Sequence, residues 1–426
     1  MDKIVIQGGT QLNGEIVIGG AKNSAIKLMA VCLLTDKPVL LKNMPRLRDT
    51  RSMSELLSHL GVSINLSGSN KMTLHAESLS SSTAPYELVR KMRASFNVLG
   101  PLLARSGFAK VSLPGGCAIG ARPVDLHLKA MESFGAKIKL EEGYVIASAK
   151  AGLKGAEITF PFISVGATEH AMLTAALAEG ETVLNNAACE PEIVDLANCL
   201  NAMGAKVSGA GRPRISIIGV SSLKGVEYSV VPDRIEAGTY ALAAATVGGT
   251  VKLSNICKDH LGALWPLIEQ AGAKLTFDKT SVLIERNGTN LRAVDVDTQA
   301  YPGFPTDLQA QFMTMMCLAE GTSIIRENIF ENRFMHCPEL SRMGADIDVR
   351  GREAIVRGVK ELKGAPVMAT DLRASASLIS AGMAAEGETH VGRVYHLDRG
   401  FENIEIKLRN CGANITRESE KPLWQS

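Results

Sequence analysis

The 426-residue sequence lacks the segments that mark membrane and exported proteins. No apolar run in it is long enough to span a bilayer, and its first residues, MDKIVIQG, enter a strand-like alternation without a charged-then-apolar leader. Lysine plus arginine (46) nearly balances aspartate plus glutamate (44), and the net charge of +2 gives no reason to expect nucleic acid or a membrane surface as a partner. We therefore expect a cytoplasmic protein that binds small molecules. The sequence leaves its oligomeric state open.

The spacings of metal and nucleotide sites are missing as well. The eight cysteines contain no CxxC pair, and the eight histidines contain no HExxH. The motifs GxGxxG and GxxxxGK[ST] are absent, which argues against an ordinary dinucleotide or P-loop site. Most cysteines lie in apolar, helical contexts, so we expect them to be buried and reduced. The sequence predicts no metal site and no cofactor.

What the chain does have is an internal repeat. An amphipathic segment that ends in glycine and turns into a strand-like run occurs six times. The glycines are Gly61, Gly135, Gly204, Gly272, Gly344 and Gly412, separated by 74, 69, 68, 72 and 68 residues. A glycine directly after a helix suits the left-handed conformation that returns the chain to a strand.

A second helix-like segment precedes each of these and is apolar nearly all round. The six segments read AKNSAIKLMAVCLL, MRASFNVLGPLLA, ATEHAMLTAALAEG, IEAGTYALAAATVGG, LQAQFMTMMCLAEG and LRASASLISAGMAAEG. A helix without a polar face belongs inside a fold. Together with the strand-like runs, they predict a unit of about 70 residues, β-α-β-α-β-β, with one buried helix.

Six such units predict an α/β protein of two domains, each built from three units with the helices inside. The alternative is a single extended solenoid. We disfavour it because about 70 residues is long for a solenoid repeat and because neither end carries a polar capping unit.

The buried helices begin with charged or polar residues, which an apolar helix does not need. These residues are Lys22 and Asn23, Arg93, Ser164, Asp233 with Arg234 and Glu236, Asp307, and Asp371 with Arg373. Helix N-termini bind anions through free N–H groups and the helix dipole, and arginine binds phosphate or carboxylate bidentately. If the six helix starts converge on a cleft between the domains, they form an anion site. The alternative is that they cap helices and form structural ion pairs.

The loop 112–126, S-L-P-G-G-C-A-I-G-A-R-P-V-D-L, places Cys117 five residues before Arg122. Pro114 and Pro123 stiffen its two ends, while its three glycines allow conformations that other residues avoid. Because a nearby cation stabilises a thiolate, this pattern predicts a reactive cysteine. The alternative is a glycine-rich turn with an incidental cysteine.

Ten strings spread along the chain indicate a family. They are GGAKNSA, MRAS, LPGGC-x-IGARPVDLH, SVGAT, EPEIVDLAN, PDRIEAGT, FPTD-x-QAQF, FENRFMH-x-PEL-x-RMGA, ATDLRASASL and YHLDRG. From residue 3 to about 415 the chain resembles the UDP-N-acetylglucosamine 1-carboxyvinyltransferases, which belong to the enolpyruvyl transferase family. Only the polar tail RESEKPLWQS lies outside the resemblance.

The resemblance implies an inside-out α/β barrel with two domains of three repeats and an active site in the cleft between them. The first domain takes residues 22–231, and the second combines residues 1–21 with 232–426. The implied reaction transfers the enolpyruvyl group of phosphoenolpyruvate to the 3′-hydroxyl of UDP-N-acetylglucosamine through a tetrahedral ketal and releases phosphate. It is the first committed step of peptidoglycan synthesis and needs no metal or redox cofactor.

The resemblance also implies residue roles. Cys117 is the general acid for the methylene carbon of phosphoenolpyruvate, can add to it covalently, and is the thiol that fosfomycin alkylates. Asp307 is the base for the sugar hydroxyl or orients it, and Asp371 and Arg373 support this centre. Phosphoenolpyruvate contacts fall on Lys22, Asn23, Cys117, Arg122 and Arg399, and Lys22 and Arg399 are also catalytic residues. Sugar-nucleotide contacts fall on Asn23, Arg93, Arg122, Pro123, Val124, Asp125, Leu126, Ser164, Val165, Gly166, Asp307 and Ile329.

One position departs from the family pattern. Some members have a lysine where this chain has Phe162, so a diphosphate or uracil contact made by that lysine is absent or replaced here. The glycines between the prolines of the loop 112–126 imply that it closes when the sugar nucleotide binds.

Three other functions are weighed against this one. The sister enzyme 5-enolpyruvylshikimate-3-phosphate synthase shares the fold and the phosphoenolpyruvate chemistry but lacks the LPGGC loop and the ARPVDLH segment. A non-catalytic nucleotide-sugar sensor would be expected to have lost Cys117, Asp307 or Arg399, and all three are present. A purely structural repeat protein leaves the charged helix starts unexplained.

Overall fold

The computed structural model of the protein describes residues 2–68, 70–115 and 124–419, and strands and helices alternate along them. The strands are β1 (Asp2–Gln7), β2 (Leu12–Val17), β3 (Val39–Lys42), β4 (Ser63–Ser67), β5 (Lys71–His75), β6 (Thr83–Ala84), β7 (Phe108–Ser112), β8 (Lys137–Glu141), β9 (Tyr144–Ser148), β10 (Glu157–Thr159), β11 (Glu181–Asn185), β12 (Lys206–Ser208), β13 (Arg214–Ile218), β14 (Val226–Ser229), β15 (Gly249–Ser254), β16 (Lys274–Phe277), β17 (Ser281–Arg286), β18 (Val296–Asp297), β19 (Thr322–Arg326), β20 (Asp346–Arg350), β21 (Glu353–Arg357), β22 (Pro366–Met368), β23 (Glu388–Gly392) and β24 (Asn414–Ser419).

The α-helices are α1 (Lys22–Ala30), α2 (Arg48–His59), α3 (Tyr86–Val89), α4 (Leu99–Ser106), α5 (Asp125–Ser133), α6 (Val165–Ala175), α7 (Pro191–Ala202), α8 (Arg234–Val247), α9 (Trp265–Gln270), α10 (Gln309–Met316), α11 (Cys337–Arg342), α12 (Leu372–Ala384) and α13 (Ile404–Asn410). Short 3₁₀ segments span Val31–Leu34, Arg93–Val98, Lys258–Leu261, Thr306–Leu308 and Val394–Arg399.

These elements divide into two compact units. The first unit contains the described residues between 20 and 231, and the second contains residues 2–19 with 232–419. Each unit has its own cluster of buried apolar side chains.

The described strands form six open sheets of four strands each. The sheets of the first unit run β14-β3-β5-β4, β6-β7-β9-β8 and β10-β11-β13-β12, and those of the second run β16-β17-β15-β2, β18-β19-β21-β20 and β22-β23-β1-β24. In most of them a parallel pair flanks an antiparallel hairpin, as where β10 pairs parallel with β11 while β13 pairs antiparallel with both β11 and β12. Alternate residues of a strand face inward, as in β11, where Thr182 and Leu184 are buried.

The helices that join the parallel strands lie inside their units, which confirms the predicted α/β fold with inner helices, although the described sheets form no closed barrel. In α8, all residues from Ile235 to Thr246 are buried. Small residues allow this packing: a Cβ added to Gly100 in α4 would lie 2.1 Å from the hydroxyl of Thr174 in α6. The segment predicted as one helix from Met92 onward is instead a 3₁₀ turn followed by α4, whose third residue, Pro101, lacks the N–H that a longer helix would use there.

The six glycines predicted to end helices all do so. Their φ angles are 103° (Gly61), 89° (Gly135), 100° (Gly204), 111° (Gly272), 94° (Gly344) and 95° (Gly412). Each angle lies in the region that only glycine adopts without strain, and a strand follows each glycine.

Two strands lie in a sheet whose buried helix is remote in sequence. β2 directly precedes α1, but it pairs parallel with β15, which follows α8. β14 directly precedes α8, but it pairs parallel with β3, which follows α1. The second unit is therefore completed by β2, which precedes the whole first unit in the chain. The first unit is completed by β14, which follows all its other elements.

Candidate active site

The first unit brings the starts of its three buried helices to one end. Lys27, the sixth residue of α1, forms a buried ion pair with Glu169, the fifth of α6. The backbone N–H of Gly100 in α4 donates to His170, also in α6. Because these contacts join the helices at similar depths, the N-terminal ends of α1 and α6 and the 3₁₀ turn that begins at Arg93 lie at the same end of the unit.

The predicted residues of α1 differ in their surroundings. Lys22 is the first residue of the helix, and its ammonium lies 3.1 Å from a carboxylate oxygen of Asp49, which is buried. Asn23 follows it and is exposed. Arg93 opens its 3₁₀ turn and is half-buried. These side chains form a cationic and polar rim at the end of the first unit.

The start of α6 is a capped helix N-terminus. The Ser164 hydroxyl accepts a hydrogen bond from the N–H of Ala167 at 3.3 Å, and Val165 and Gly166 are the first two helical residues. Just before them, the side chains of Phe162 and Ile163 are 58% and 43% exposed. An exposed aromatic residue therefore stands beside this helix start.

The loop 112–126 is described only at its two ends. Val124 is the N-cap residue of α5, Asp125 is its exposed first residue and Leu126 is buried. The predicted site residues Cys117, Arg122 and Pro123, together with the predicted closure of the loop, lie outside the described residues.

A buried polar network beneath this end was not predicted. His127 in α5 and His170 in α6 lie with their Nδ1 atoms 2.9 Å apart. Burial lowers the pKa of His127 to about 3, and the charges of Lys27 and Arg93 add to this effect. Burial raises the pKa of Glu169, although Lys27 beside it acts in the opposite direction.

In the second unit, Asp307 forms two ion pairs. Its carboxylate oxygens lie 2.7 Å from a guanidinium nitrogen of Arg333 and 2.9 Å from one of Arg373. Both arginine side chains are 6% exposed, whereas that of Asp307 is 25% exposed. Burial alone would raise the pKa of Asp307, but the charges of Arg373 and Arg333 outweigh it and lower the pKa well below its ordinary value. Asp307 is thus an ionised carboxylate that two buried arginines hold in place and that remains partly accessible.

Several polar helix starts of the second unit have a structural role, as the alternative interpretation expected. Asp233 caps α8 by accepting hydrogen bonds from two backbone N–H groups, and Asp371 caps α12 in the same way. Glu236 is buried and accepts bonds from the Lys407 ammonium at 2.6 Å and the Gly19 N–H at 2.8 Å. Capping and ion pairing therefore account for Asp233 and Glu236.

The buried carboxylate of Glu327 holds together the two chain segments that meet at Asp307. One oxygen accepts bonds from the Thr298 hydroxyl at 2.9 Å and from the N–H groups of Ile329 at 2.9 Å and Phe330 at 3.1 Å. The other accepts from the hydroxyl of Thr306 at 2.8 Å. Glu327 thereby joins the turn that carries Asp307 to the segment that carries Ile329 and Arg333.

The remaining predicted residue, Arg399, ends the 3₁₀ segment after β23 and is half-buried. Sequence reasoning missed Arg333, Glu327, His127 and His170. Arg333 and His127 do stand inside the strings FENRFMH and ARPVDLH, and His170 inside ATEHAMLTAALAEG. The sequence strings therefore contained these residues. The two histidines fit no metal motif, and no other pattern indicated a role for them.

Other kinds of site find no support in the part of the chain that the structure describes. No helix there combines the length and apolar character needed to cross a bilayer. No group of three or more His, Cys, Asp or Glu side chains there could hold a metal ion. Of the seven cysteines described, Cys32, Cys199, Cys317, Cys337 and Cys411 are buried. Burial raises the pKa of Cys199 to about 12, which keeps this thiol protonated.

Comparison with known proteins assigns the class. The family model described as EPSP synthase (3-phosphoshikimate 1-carboxyvinyltransferase) matches residues 6–408. The solved structure of the enolpyruvyl transferase NikO from Streptomyces tendae superposes with a TM-score of 0.87 and 25% identity, covering 99% of each chain. The protein is an enolpyruvyl transferase: it belongs to the EPSP synthase family.

Sequence similarity to one branch of that family is high. A UDP-N-acetylglucosamine 1-carboxyvinyltransferase from Caulobacter sp. (strain K31) is 64% identical over 421 residues, covering 98% of this chain and 97% of its own. The one from Chelativorans sp. (strain BNC1) is 58% identical over 428 residues, covering 98% and 100%. By contrast, an EPSP synthase structure from Acinetobacter baumannii has a TM-score of 0.76 but only 18% identity, over 98% of this chain and 100% of its own.

Proposed function

We propose that this enzyme transfers the enolpyruvyl group of phosphoenolpyruvate to the 3′-hydroxyl of UDP-N-acetylglucosamine and releases phosphate. The observation that carries the proposal is the 64% identity, over 98% of the chain, to a relative of that name. In the cell this reaction is the first committed step of peptidoglycan synthesis, in the cytoplasm. The proposed domains are residues 22–231 and residues 1–21 with 232–426.

The first domain binds the anionic groups. Lys22, Asn23 and Arg122 contact phosphoenolpyruvate, together with Arg399 of the second domain. The sugar nucleotide lies against Asn23, Arg93, the segment 122–126 and the start of α6 at Ser164, Val165 and Gly166. This assignment is supported by the gathering of the Lys22, Arg93 and Ser164 helix starts at one end of the first unit, where N–H groups and cations favour anions.

The chemistry proceeds by addition and elimination. The thiol of Cys117 protonates the methylene carbon of phosphoenolpyruvate, so that positive charge develops at C2. The 3′-hydroxyl oxygen then bonds to C2 as its proton passes to the carboxylate of Asp307, giving a tetrahedral ketal. The methyl carbon then returns a proton to the Cys117 thiolate, which restores the double bond as the C2–O bond to phosphate breaks, and the proton on Asp307 leaves with the phosphate. The cations stabilise the departing phosphate electrostatically.

Asp307 accepts a hydrogen bond from the 3′-hydroxyl and orients it. The two guanidiniums of Arg333 and Arg373 support this role, because they keep the carboxylate ionised and lower its affinity for a proton. Proton transfer to Asp307 therefore requires that at least one of these pairs lengthens during attack. Asp371 and Arg373 hold the start of α12 beside this carboxylate, and Ile329 contacts the sugar nucleotide.

The decisive experiment measures phosphate release from phosphoenolpyruvate with each of two acceptors. We expect release with UDP-N-acetylglucosamine, its abolition by fosfomycin, and none with shikimate 3-phosphate. Asp307→Asn should lower kcat by about 10²-fold or more, within the range for a lost general base. Asp346→Asn, which alters an exposed ion pair with Arg357, is the control and should leave kcat unchanged.

Two results would contradict the proposal. Release with shikimate 3-phosphate alone would make the enzyme an EPSP synthase. Tight binding of UDP-N-acetylglucosamine without any release would make it a nucleotide-sugar sensor, and Phe162 would then be the first residue to replace by lysine.

A further inference from the structure

His127 and His170 form a pair that the proposed reaction does not use. Their ring centroids lie 5.1 Å apart, and the ring of Phe96 meets both edge-on at 5.8 and 6.0 Å. His170 is completely buried and His127 is 9% exposed. The three rings therefore pack against one another, and of the two histidines only His127 retains some exposure.

The hydrogen bonds of the pair fix where each proton lies. The N–H of Gly100 donates to Nε2 of His170 at 2.7 Å, so this nitrogen carries no proton. A neutral His170 must then carry its proton on Nδ1, which faces Nδ1 of His127 at 2.9 Å. Nδ1 of His127 accepts that bond. The proton of a neutral His127 is consequently on Nε2.

Both rings are neutral in this environment. Burial is the main cause that lowers the pKa of each, and the charge of Lys27 adds to it for both. Lys27 forms its ion pair with Glu169, the residue that precedes His170, and so places a positive charge beside the pair. A second proton on either ring would be buried next to that ammonium.

Nε2 of His127 lies beside the start of α6. A Cβ added to Gly166 would lie 3.5 Å from Nε2 and 3.3 Å from Cε1 of this ring. The first backbone bond at this end runs from Thr168 to Ser164, so the N–H groups of Val165 and Gly166 precede it. Among the described residues, Nε2 of His127 has no hydrogen-bond partner. The Nε2 donor of a side chain that is only 9% exposed is thus directed at a helix N-terminus that has N–H groups of its own.

We propose that His170 is a positioning residue that fixes His127 as an Nε2–H donor to a diphosphate oxygen of the sugar nucleotide bound at the start of α6. The inference rests on the proposed function and adds two residues to its nucleotide site. His127 supplies a neutral, directed hydrogen bond, and the anionic charge is met by Arg93 and the helix dipole.

Two substitutions of His170 separate the two bonds that its ring makes. His170→Gln places an amide near the former Nε2, so it can accept from Gly100 but cannot donate to His127. His170→Asn places an amide near the former Nδ1, so it can donate to His127 but leaves Gly100 unpaired. The measurements are Kd by calorimetry for UDP-N-acetylglucosamine and for uridine, which lacks the diphosphate, KM for phosphoenolpyruvate, and the ¹⁵N NMR tautomer of His127.

The expected result is a loss of affinity for the ligand that contains the diphosphate and for no other ligand. In His170→Gln, His127 should no longer be a pure Nε2–H tautomer, and Kd for UDP-N-acetylglucosamine should rise about 5- to 10-fold, the range for one lost hydrogen bond. Kd for uridine and KM for phosphoenolpyruvate should stay unchanged. His170→Asn should restore the tautomer and the Kd, although its unfolding midpoint falls.

Other outcomes overturn the inference. A wild-type Kd in His170→Gln despite an altered His127 tautomer would show that the donor does not bind the diphosphate. Equal weakening of UDP-N-acetylglucosamine and uridine in both variants would indicate a merely structural role. If the wild-type protein does not bind UDP-N-acetylglucosamine at all, the proposed function itself fails, which is a different result from a normal wild-type Kd with unaffected variants.

Discussion

Single buried polar residues are costly in this protein because its inner helices are otherwise apolar. Lys27 and Glu169 are each the other's charge partner inside the first unit, and Asp307 has two arginines inside the second. Removing one member of such a group leaves a buried charge uncompensated, which costs more than the group contributes when complete. For the same reason, the protonation of a buried side chain makes the free energy of unfolding depend on pH.

The paired histidines should make the protein less stable in acid. The pKa of His127 is about 3 in the folded protein against an ordinary 6.5. Between these values the unfolded chain takes up a proton that the folded protein does not, so the free energy of unfolding falls as pH drops from about 6.5 toward 3. The slope is roughly 1.4 kcal/mol per pH unit for each such histidine. Urea unfolding at several pH values measures it.

The comparison uses one buried and one exposed histidine. His127→Gln should reduce the slope below pH 6.5 by about one proton. His59→Gln, at an exposed position near the end of α2, should leave the slope as in the wild type. Equal slopes in the wild type and His127→Gln would mean that His127 titrates alike in both states.

For single residues, the sequence predicted the position of a side chain in a helix better than it predicted which other side chain it contacts. It placed Lys22, Ser164 and Asp371 at helix starts, because an apolar stretch with a polar first residue indicates where a helix begins. It did not reveal that Arg333 would reach Asp307, 26 residues earlier. Such contacts depend on how distant segments pack, and spacing along the chain contains no information about that.

At the scale of elements, local sequence decided most of the fold. The glycines after the outer helices, the small apolar inner helices and the short alternating strands each predicted their own structure, and the described elements match them. The exception is the stretch at Arg93–Val98, where a 3₁₀ turn replaces the predicted first turns of a helix. Loops are harder still: nothing in the run IIREN indicated that Glu327 would organise one.

Glu327 is expected to position the segment that carries Ile329 and Arg333. Glu327→Ala leaves the N–H groups of Ile329 and Phe330 and the hydroxyl of Thr306 without their acceptor. We expect it to destabilise the protein by about 2–4 kcal/mol, since buried unsatisfied donors cost about 1–3 kcal/mol each and some regain water. KM for UDP-N-acetylglucosamine should rise, while KM for phosphoenolpyruvate should change little.

Two further variants give this prediction its control. Glu327→Gln retains one acceptor oxygen and should fall between the wild type and Glu327→Ala in both stability and KM. Glu353→Ala removes a half-exposed carboxylate paired with Arg326 on the neighbouring strand, and it should affect neither KM. A rise in both KM values in Glu327→Ala would indicate general damage to the fold instead of a positioned segment.

At the scale of the whole molecule, the pairing of β2 with β15 and of β14 with β3 decides which fragments of the chain can fold. The repeat pattern alone would group β2 with α1, because they are consecutive, and β14 with α8. Only the resemblance to known enzymes implied that the chain crosses between domains twice. Strand sequences as short as VEYS in β14 do not specify a partner, since pairing depends on which edge is free once the helices have packed.

The first unit should fold as an isolated fragment of residues 20–231, since this stretch contains every strand of its three sheets. Removing residues 225–231 deletes β14, which pairs parallel with β3 from Val226 to Ser229. The edge of β3 and the part of α7 that contacts β14, where the Tyr228 hydroxyl donates to Asp195, would then be open to water. We expect the longer fragment to unfold cooperatively in urea and the shorter one to be aggregated or non-cooperative.

The second unit offers the complementary test. Residues 232–419 alone lack β1, which lies between β23 and β24 in the interior of its sheet, and β2, which borders β15. This fragment should not fold, but adding residues 2–19 after Ser419 through a short glycine-serine linker should restore cooperative unfolding. The linker can be short because Asp2 and Ser419 are direct partners in the β1–β24 pair. Folding of 232–419 without residues 2–19 would contradict the view that the exchanged strands complete each unit.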